Sequence, residues 1–452
     1  MAGGLTKKQA IDEAIRCPQC AEPACNQGCP VGIDIPAFIR LLREGNPSDA
    51  LEKIREANHL TAICGRMCSA PCETACILNE ENAPISIRAL ERYAWDQGHK
   101  RGDGQGAKGK GQGLTGKVAV VGSGPSGLTA AVELSQLGIK VTVFESLHLA
   151  GGVLRYGIPA FRLPPKVFDS ELEYVQSLGI EIKTNTAIGQ SYSLKELFEM
   201  EYSVILLALG AGVPQFSQIS GENLSGVYFA EEFLMRVNLM KANQYPAYGT
   251  SLCVGKQIAV IGGGMAALDC ARIAVRLGKE AFVIHEGTEE DMRVRKEERE
   301  YAKEEGVKLE ILSKVLEILP DEKKSVKAVK CMRMDFADPD STGQWKIMAA
   351  AGSEFILEAD TVIMAQGHGS NTNLVKSTEE LRLNKNGTIW THKNSFMTSI
   401  PGVFVGGDCE TGPGPVVRAM GKGKEVAREI NNYLKRHILS PSLTLPTRGR
   451  ES

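Results

Sequence analysis

The 452-residue sequence has almost no net charge. Its 52 Lys and Arg are offset by 54 Asp and Glu, which leaves −2 with histidine neutral. A balance this even provides no electrostatic footprint for nucleic acid. Long apolar runs are also missing. None approaches the roughly 20 residues that a membrane-spanning helix needs, and the first residues lack the apolar stretch of a secretory signal. These absences argue against a nucleic-acid binder and a membrane protein, and they point to the cytoplasm. Wholesale disorder is excluded as well, because 43% of the residues are hydrophobic and 23% charged, enough apolar material for several domain cores.

Glycine and cysteine are what the sequence does have, 48 and 12 residues respectively. Eight of the cysteines fall between Cys17 and Cys76; the others stand singly at Cys253, Cys270, Cys331 and Cys409. In a chain without a secretory signal, so dense a group reads as metal or cluster ligands before it reads as disulfides. The four later cysteines form no C-x-x-C pair, so a flavin–disulfide relay is not expected, and Cys409 reads as a small packed residue.

Residues 1–100 read as a helical domain. Gly45 closes one helix and Asn46–Pro47 opens the next. Ile35, Phe38, Ile39 and Leu42 recur at helical spacing. A last helix runs from Ser86 through Leu90, Glu91 and Tyr93 to about Gly98. The apolar content is modest, so this domain is expected to depend on its inorganic centres for stability. Residues 101–117, rich in Gly and Lys, read as a flexible linker, and residues 439–452 as a flexible tail.

From residue 118 the pattern changes to strand, glycine turn, helix, strand. Val118–Val121 leads into G-S-G-P-S-G, a helix through Ala130–Leu137 and a strand at Lys140–Phe144. Gly122, Gly124 and Gly127 satisfy G-x-G-x-x-G. The first allows the tight turn, the second the approach of a pyrophosphate, and the third close packing of helix on strand. Glu145 ends the second strand at the usual distance for a carboxylate that binds a ribose hydroxyl. The unit then repeats: Ile258–Ile261 leads into G-G-G-M-A-A, and Gly262, Gly264 and Ala267 satisfy G-x-G-x-x-A. Two such units imply two dinucleotides, for which the usual pairing is a flavin with a nicotinamide nucleotide. Near the end, a strand runs into Gly-Gly-Asp408 and a helix begins near Gly414. Asp408 reads either as a flavin ligand or as a capping residue.

The cysteines form two sets. Cys17, Cys20, Cys25 and Cys29 are spaced C-x2-C-x4-C-x3-C, and Cys64, Cys68, Cys72 and Cys76 are spaced C-x3-C-x3-C-x3-C. Eight thiolates suit two 4Fe-4S clusters. Two tetrahedral zinc sites are the alternative, with disulfides third. By spacing alone, Cys64 is an admissible fourth ligand of the second set.

Together these signals resemble the two-dinucleotide-binding flavoproteins. With L-A-G-G-V-L-R-Y-G-I-P-A-F-R-L-P at 149–164 and the cysteine-rich beginning, the chain most resembles the glutamate synthase small (beta) subunit family. That family is related to the large subunit of NADH-dependent ferredoxin:NADP oxidoreductase and to the electron-input half of dihydropyrimidine dehydrogenase. The resemblance runs from about Arg16 to Leu434, linker excepted. It implies an α/β protein: a helical iron–sulfur domain followed by a disulfide-reductase-like flavoprotein. The FAD domain is expected in two parts, 118–250 and 367–438, with the NAD(P)H domain 251–366 inserted between them. L-L-A-L-G-A-G (206–212) and I-M-A-Q-G-H-G (363–369) match the crossing segments.

The resemblance also implies site residues. Pro125, Ser126, Gly152, Arg155 and Asp408 join the first fingerprint and Glu145 around FAD, and Met265 joins the second fingerprint around the nicotinamide nucleotide. One cluster is implied on Cys17, Cys20, Cys25 and Cys76. The other is implied on Cys29, Cys68 and Cys72 with Glu91, which leaves Cys64 outside. Where the family usually carries Tyr-Arg-Arg for the 2′-phosphate of NADP, this chain has His285-Glu286-Gly287. A carboxylate suits a free 2′-hydroxyl and repels a phosphate, so Glu286 argues for NADH. Arg293 and Arg295 argue for NADPH, Arg295 standing at a family arginine position.

The expected activity is oxidation of NADH or NADPH by hydride transfer to FAD, with electrons leaving through two 4Fe-4S clusters. No catalytic dyad is needed for that step, and none is found. The sequence has no nucleophilic cysteine of an amidotransferase, so glutamate-forming chemistry is expected on a larger partner subunit. A subunit of an electron-bifurcating or transhydrogenase complex is the alternative. A non-catalytic electron-wire or zinc-stabilised docking module is a third reading, which the intact glycines oppose.

Overall fold

The computed structural model describes residues 4–81, 83–99, 116–337, 346–369, 373–393 and 395–438. The expected tail lies outside them, as does the expected linker except for Gly116 and Lys117. Two compact units are formed. One comprises Tyr156–Phe161 and Gly212–His368; the other comprises the chain before, between and after those segments. No helix among the described residues is long and apolar enough to cross a membrane.

The second, larger unit holds both the cysteine-rich helices and the first fingerprint. Its helices include Lys7–Arg16, Ile35–Arg43, Pro47–Arg55, Thr61–Met67 and Ile87–Gly98. Thr6 opens the first with a capping box to Gln9, and Asp34 caps the next by accepting the Ala37 N–H at 3.4 Å; both satisfy donors that a helix start leaves free. Pro47 stands in the first turn of its helix as expected, and the last helix stops at Gly98. The apolar stripe buries Phe38, Ile39, Leu42, Leu51 and Ile54. No strand occurs in the described part of 4–99.

The same unit contains a parallel sheet ordered Val403–Val405, Val204–Leu207, Lys117–Val121, Lys140–Phe144, Glu181–Lys183. The smaller unit repeats the plan with Val227–Phe229, Thr361–Met364, Gln257–Ile261, Glu280–Ile284, Lys308–Glu310. Each fingerprint strand is therefore the middle strand of its sheet. Central parallel strands are covered on both faces, which is why Val118–Val121 and Ile258–Ile261 are continuous apolar runs and fully buried. A three-stranded antiparallel sheet, Ser313–Pro320, Val326–Phe336 and Ile347–Glu358, completes the smaller unit.

Residues 212–250 depart from the expected division. They cluster with the nicotinamide-type unit, and Val227–Phe229 pairs with Thr361–Met364 in its sheet. A three-residue strand carries too little periodicity to announce that change.

The last helix, Val416–Ile438, starts two residues beyond the expected Gly414. It lies on the fingerprint helix Pro125–Gln136 so closely that a Cβ at Gly423 would collide with the Ser126 carbonyl. The same helix reaches the cysteine domain. A Cβ at Gly421 would stand 2.8 Å from the Pro30 carbonyl oxygen, the Cys64 thiol meets Met420 Sδ at 3.6 Å, and Lys424 Nζ donates to the carbonyls of Val31 and Ala57 at 2.8 and 2.7 Å.

Candidate functional site

The first fingerprint is built as its glycines require. Gly122 has φ +109°, and a Cβ there would collide with the Ala208 carbonyl. A Cβ at Gly127 would collide with Gly122 itself, whereas nothing lies within 4 Å of the Cβ position of Gly124. Gly124 is the residue that immediately precedes helix Pro125–Gln136, whose free N–H groups favour an anion. Gly151 and Gly152 lie against the loop: the Gly152 Cβ position is 2.9 Å from Gly124 Cα, and the Gly151 N–H donates to Ser123 Oγ at 2.8 Å.

Glu145 is buried at the end of its strand. Its carboxylate accepts the Ser123 N–H at 3.1 Å, the Ser123 hydroxyl, and the Leu147 N–H at 2.9 Å. Donors from the glycine loop and the following turn hold it beside the fingerprint. Ser126 follows in the first helical turn, buried and with no hydrogen-bond partner for its hydroxyl among the described residues. Gly407, next to Asp408, approaches Ser126 so that a Cβ would stand 2.8 Å from the Ser126 Cβ. Gly122, Gly124, Pro125, Ser126, Gly127, Glu145 and Gly152 are thus assembled around one loop, with Gly407, the residue before Asp408, against it. Arg155 is tied elsewhere: Nη2 donates to Asp169 Oδ1 at 2.6 Å and the guanidinium lies over the Phe168 ring. Cys409 is a packed thiol, pushed up to about 12 by burial.

The second fingerprint repeats this geometry. Gly262 has φ +142°, with the Ala365 carbonyl oxygen 2.5 Å from its Cβ position. Gly264 opens helix Met265–Arg276 with free space around it, and Ala267 is fully buried. The Arg293 N–H donates to the Gly263 carbonyl at 2.9 Å, so the backbone of Arg293 adjoins the loop. His285 packs against Gly263, and burial lowers its pKa, favouring the neutral ring. Glu286 is half exposed with Lys314 Nζ at 3.9 Å. Arg295 stands at the start of helix Lys296–Glu304 and pairs with Glu297 at 3.3 Å.

The eight expected ligands divide between two cavities. Cys17, Cys20, Cys25 and Cys76 line a cavity of about 370 Å³. Cys29, Cys68, Cys72 and Glu91 line a much tighter one of about 20 Å³, together with Cys64. All twelve cysteines are free thiols. Burial, then Cys17, Cys76 and Cys20, push the Cys25 thiol up to about 11. Burial, then Cys68, Cys29 and Glu91, raise Cys72. Burial, then Cys68, raises Glu91.

Groups crowded in this way cannot ionise together without a cationic partner. Among the described residues, no three His, Cys, Asp or Glu converge closely enough to hold a single metal ion. By number and type of donor, four thiols around one cavity, or three thiols and a carboxylate around the other, suit a four-iron cluster. The first set fits a cluster in both room and donors. The second fits by its donor set.

Two buried groups had no signal in the sequence. Asn58 Nδ2 donates to Glu91 Oε1 at 2.6 Å across 33 positions. Glu171 Oε1 accepts the Ala62 N–H at 3.4 Å across 109 positions, and burial raises its pKa to about 7. Neither contact leaves a local pattern.

Two family models match the chain. Pyridine nucleotide-disulphide oxidoreductase covers residues 116–423, and dihydropyrimidine dehydrogenase domain II, 4Fe-4S cluster, covers residues 1–103. The NADPH glutamate synthase small chain of Escherichia coli is 34% identical over 95% of this chain and 93% of its own length. The beta subunit of the NADP(+)-dependent formate dehydrogenase of Moorella thermoacetica is 33% identical over 93% of this chain; the match spans 61% of that longer subunit. Mycobacterium tuberculosis FprA in complex with NADPH shares the fold, with TM-score 0.58 and 20% identity over 73% of this chain and 87% of its own. With its fingerprints, its two cysteine-lined cavities and its near full-length match, the chain belongs to the glutamate synthase small-chain family of pyridine nucleotide-disulphide oxidoreductases, FAD- and NAD(P)H-dependent enzymes with an N-terminal 4Fe-4S domain.

Proposed function

We propose that this chain is the electron-input subunit of a glutamate-synthase-type complex, taking electrons from a nicotinamide nucleotide and delivering them to a larger redox subunit. The observation that carries the reading is the joining of the first fingerprint and both cysteine sets in one compact unit. FAD, when bound, supplies the conversion of a two-electron hydride into single electrons. Gly122, Gly124 and Gly127 admit its pyrophosphate to the start of helix Pro125–Gln136. Glu145 takes a ribose hydroxyl, Asp408 and Ser126 close the other side, and Arg155 braces the 149–164 turn through Asp169. Gly262, Gly264, Met265 and Ala267 seat the nicotinamide nucleotide.

Cys17, Cys20, Cys25 and Cys76 would hold one cluster, and Cys29, Cys68, Cys72 and Glu91 the other. Both relatives described above carry NADP(H) in their names. Glu286 follows the second strand of the nicotinamide-type unit, where a carboxylate suits a free 2′-hydroxyl, whereas Arg293 and Arg295 suit a 2′-phosphate; Arg295 is engaged with Glu297, and on that balance we take NADH as the donor.

Anaerobic affinity purification from the native host, with mass spectrometry of the co-purifying chains, tests the partner. A partner carrying an amidotransferase domain supports the reading, and NADH oxidation dependent on glutamine and 2-oxoglutarate should accompany it. A partner carrying a second flavin–nicotinamide unit or ferredoxin-like clusters overturns it. That outcome supports a bifurcating or transhydrogenase subunit, a reading kept open by the match to a formate dehydrogenase subunit.

A further inference from the structure

Glu91 is buried in the helix Ile87–Gly98 and lines the tighter cavity. One of its oxygens, Oε1, accepts the Asn58 amide at 2.6 Å. Asn58 is wholly buried and held on every side that bears on its orientation. Its Oδ1 accepts the Leu60 N–H at 3.1 Å, and its main-chain carbonyl accepts the Thr61 hydroxyl at 2.9 Å. The Leu60 N–H can only donate, so the end of the amide facing it is the oxygen and the end facing Glu91 is the NH2 group.

The neighbouring residue fixes the backbone. The buried His59 ring has Nε2 2.9 Å from Glu133 Oε1, on the helix that starts at the first fingerprint. Lys424 Nζ lies 3.4 Å from the same oxygen and donates to the Ala57 carbonyl at 2.7 Å. Residues 57–59 are thus pinned to two helices of the flavin-type domain, and the Asn58 amide is delivered to Glu91 at a fixed point.

We propose that Asn58 is a positioning residue for the second cluster, orienting the Glu91 carboxylate and raising the reduction potential of the iron it binds. This rests on Glu91 being a cluster ligand. A donor on one carboxylate oxygen leaves the other for the cavity and withdraws charge from the ligand, which favours the reduced cluster.

The test is a redox titration followed by electron paramagnetic resonance, on the full-length protein purified anaerobically with its flavin and iron. In Asn58→Ala, one cluster should titrate at a more negative potential with altered g-values while the other is unchanged. Bleaching of the flavin by NADH should proceed as in the parent protein. If Asn58→Ala does not load iron, the isosteric Asn58→Asp keeps the acceptor for Leu60 and removes the donor; its shift should have the same sign. Unchanged midpoints in an iron-replete variant overturn the proposal. So does failure of both variants to hold iron, because Asn58 would then serve assembly rather than tuning. Glu91→Ala separates the two levels. If it leaves both cluster signals unaltered, the ligand assignment falls; if it alters one signal and the Asn58 variants alter none, only the role of Asn58 falls.

Discussion

Cys25 and Cys29 stand four positions apart, yet they line different cavities. Cys25 shares its cavity with Cys76, from the far end of the cysteine-rich segment. The two cysteine runs of the sequence are therefore not the two groups that line the cavities.

This interleaving predicts a distinctive loss of iron. Cys76→Ala and Cys29→Ala should each remove about half of the iron, because each disables one of two four-iron centres. They should abolish different paramagnetic signals. Cys64→Ala should keep nearly all of the iron. If Cys64→Ala lost as much as Cys29→Ala, Cys64 rather than Glu91 would be the eighth ligand.

Substitutions in the first fingerprint should separate folding from flavin binding. Gly127→Ala places a methyl group against the Gly122 carbonyl and should destabilise the protein by about 1–3 kcal/mol, the usual cost of overpacking. Gly124→Ala meets no protein atom and should leave the thermal midpoint of the flavin-free protein nearly unchanged. It should nevertheless lower flavin content sharply, since the methyl group occupies the approach of the pyrophosphate. Absorbance of the bound flavin and a thermal melt read the two effects.

Glu286 predicts the nucleotide preference. The parent protein should show the higher kcat/KM with NADH. Glu286→Arg should raise the NADPH to NADH ratio by about tenfold or more, which corresponds to about 1.4 kcal/mol, a modest amount for a charge reversal in a half-exposed site. An unaltered ratio would remove Glu286 from the nucleotide site.

Glu171 makes a prediction about pH. Its folded pKa is raised to about 7, chiefly by burial, against roughly 4.3 for a carboxyl in an unfolded chain. The folded state therefore binds the proton more tightly. This contribution is fully present below the unfolded value and is lost as pH rises through about 7. Glu171→Gln should gain stability relative to the parent between pH 5 and pH 8, by on the order of 1–3 kcal/mol. Urea unfolding of both proteins at the two pH values gives the difference. A difference that does not change with pH would show that Glu171 titrates normally.

What was legible in the sequence was what is local. Gly122, Gly124 and Gly127 fall within six positions, and the close approaches at Gly122 and Gly127 and the open space at Gly124 are local to that turn. Helix starts at Pro47 and Ser86 were legible for the same reason. The partition of the cysteines was legible only through family resemblance, because spacing groups Cys25 with Cys29 whereas the fold returns Cys76 to Cys17. Asn58 and Glu171 could not be found, since neither their type nor their neighbours mark a residue whose partner lies on another helix. Residues 212–250 read as a continuation of the flavin-type part, whereas they cluster with the other unit, because the strand Val227–Phe229 that joins its sheet is too short to show a period.

The helix Val416–Ile438 touches both the fingerprint helix and the cysteine domain, at Gly423 on one side and at Gly421 and Lys424 on the other. The first hundred residues are therefore not a detachable cartridge. Transplanting them onto another flavoprotein would expose the surface that this helix covers. A working chimera would have to carry the helix along, so the portable module is discontinuous in the chain, made of its beginning and its end.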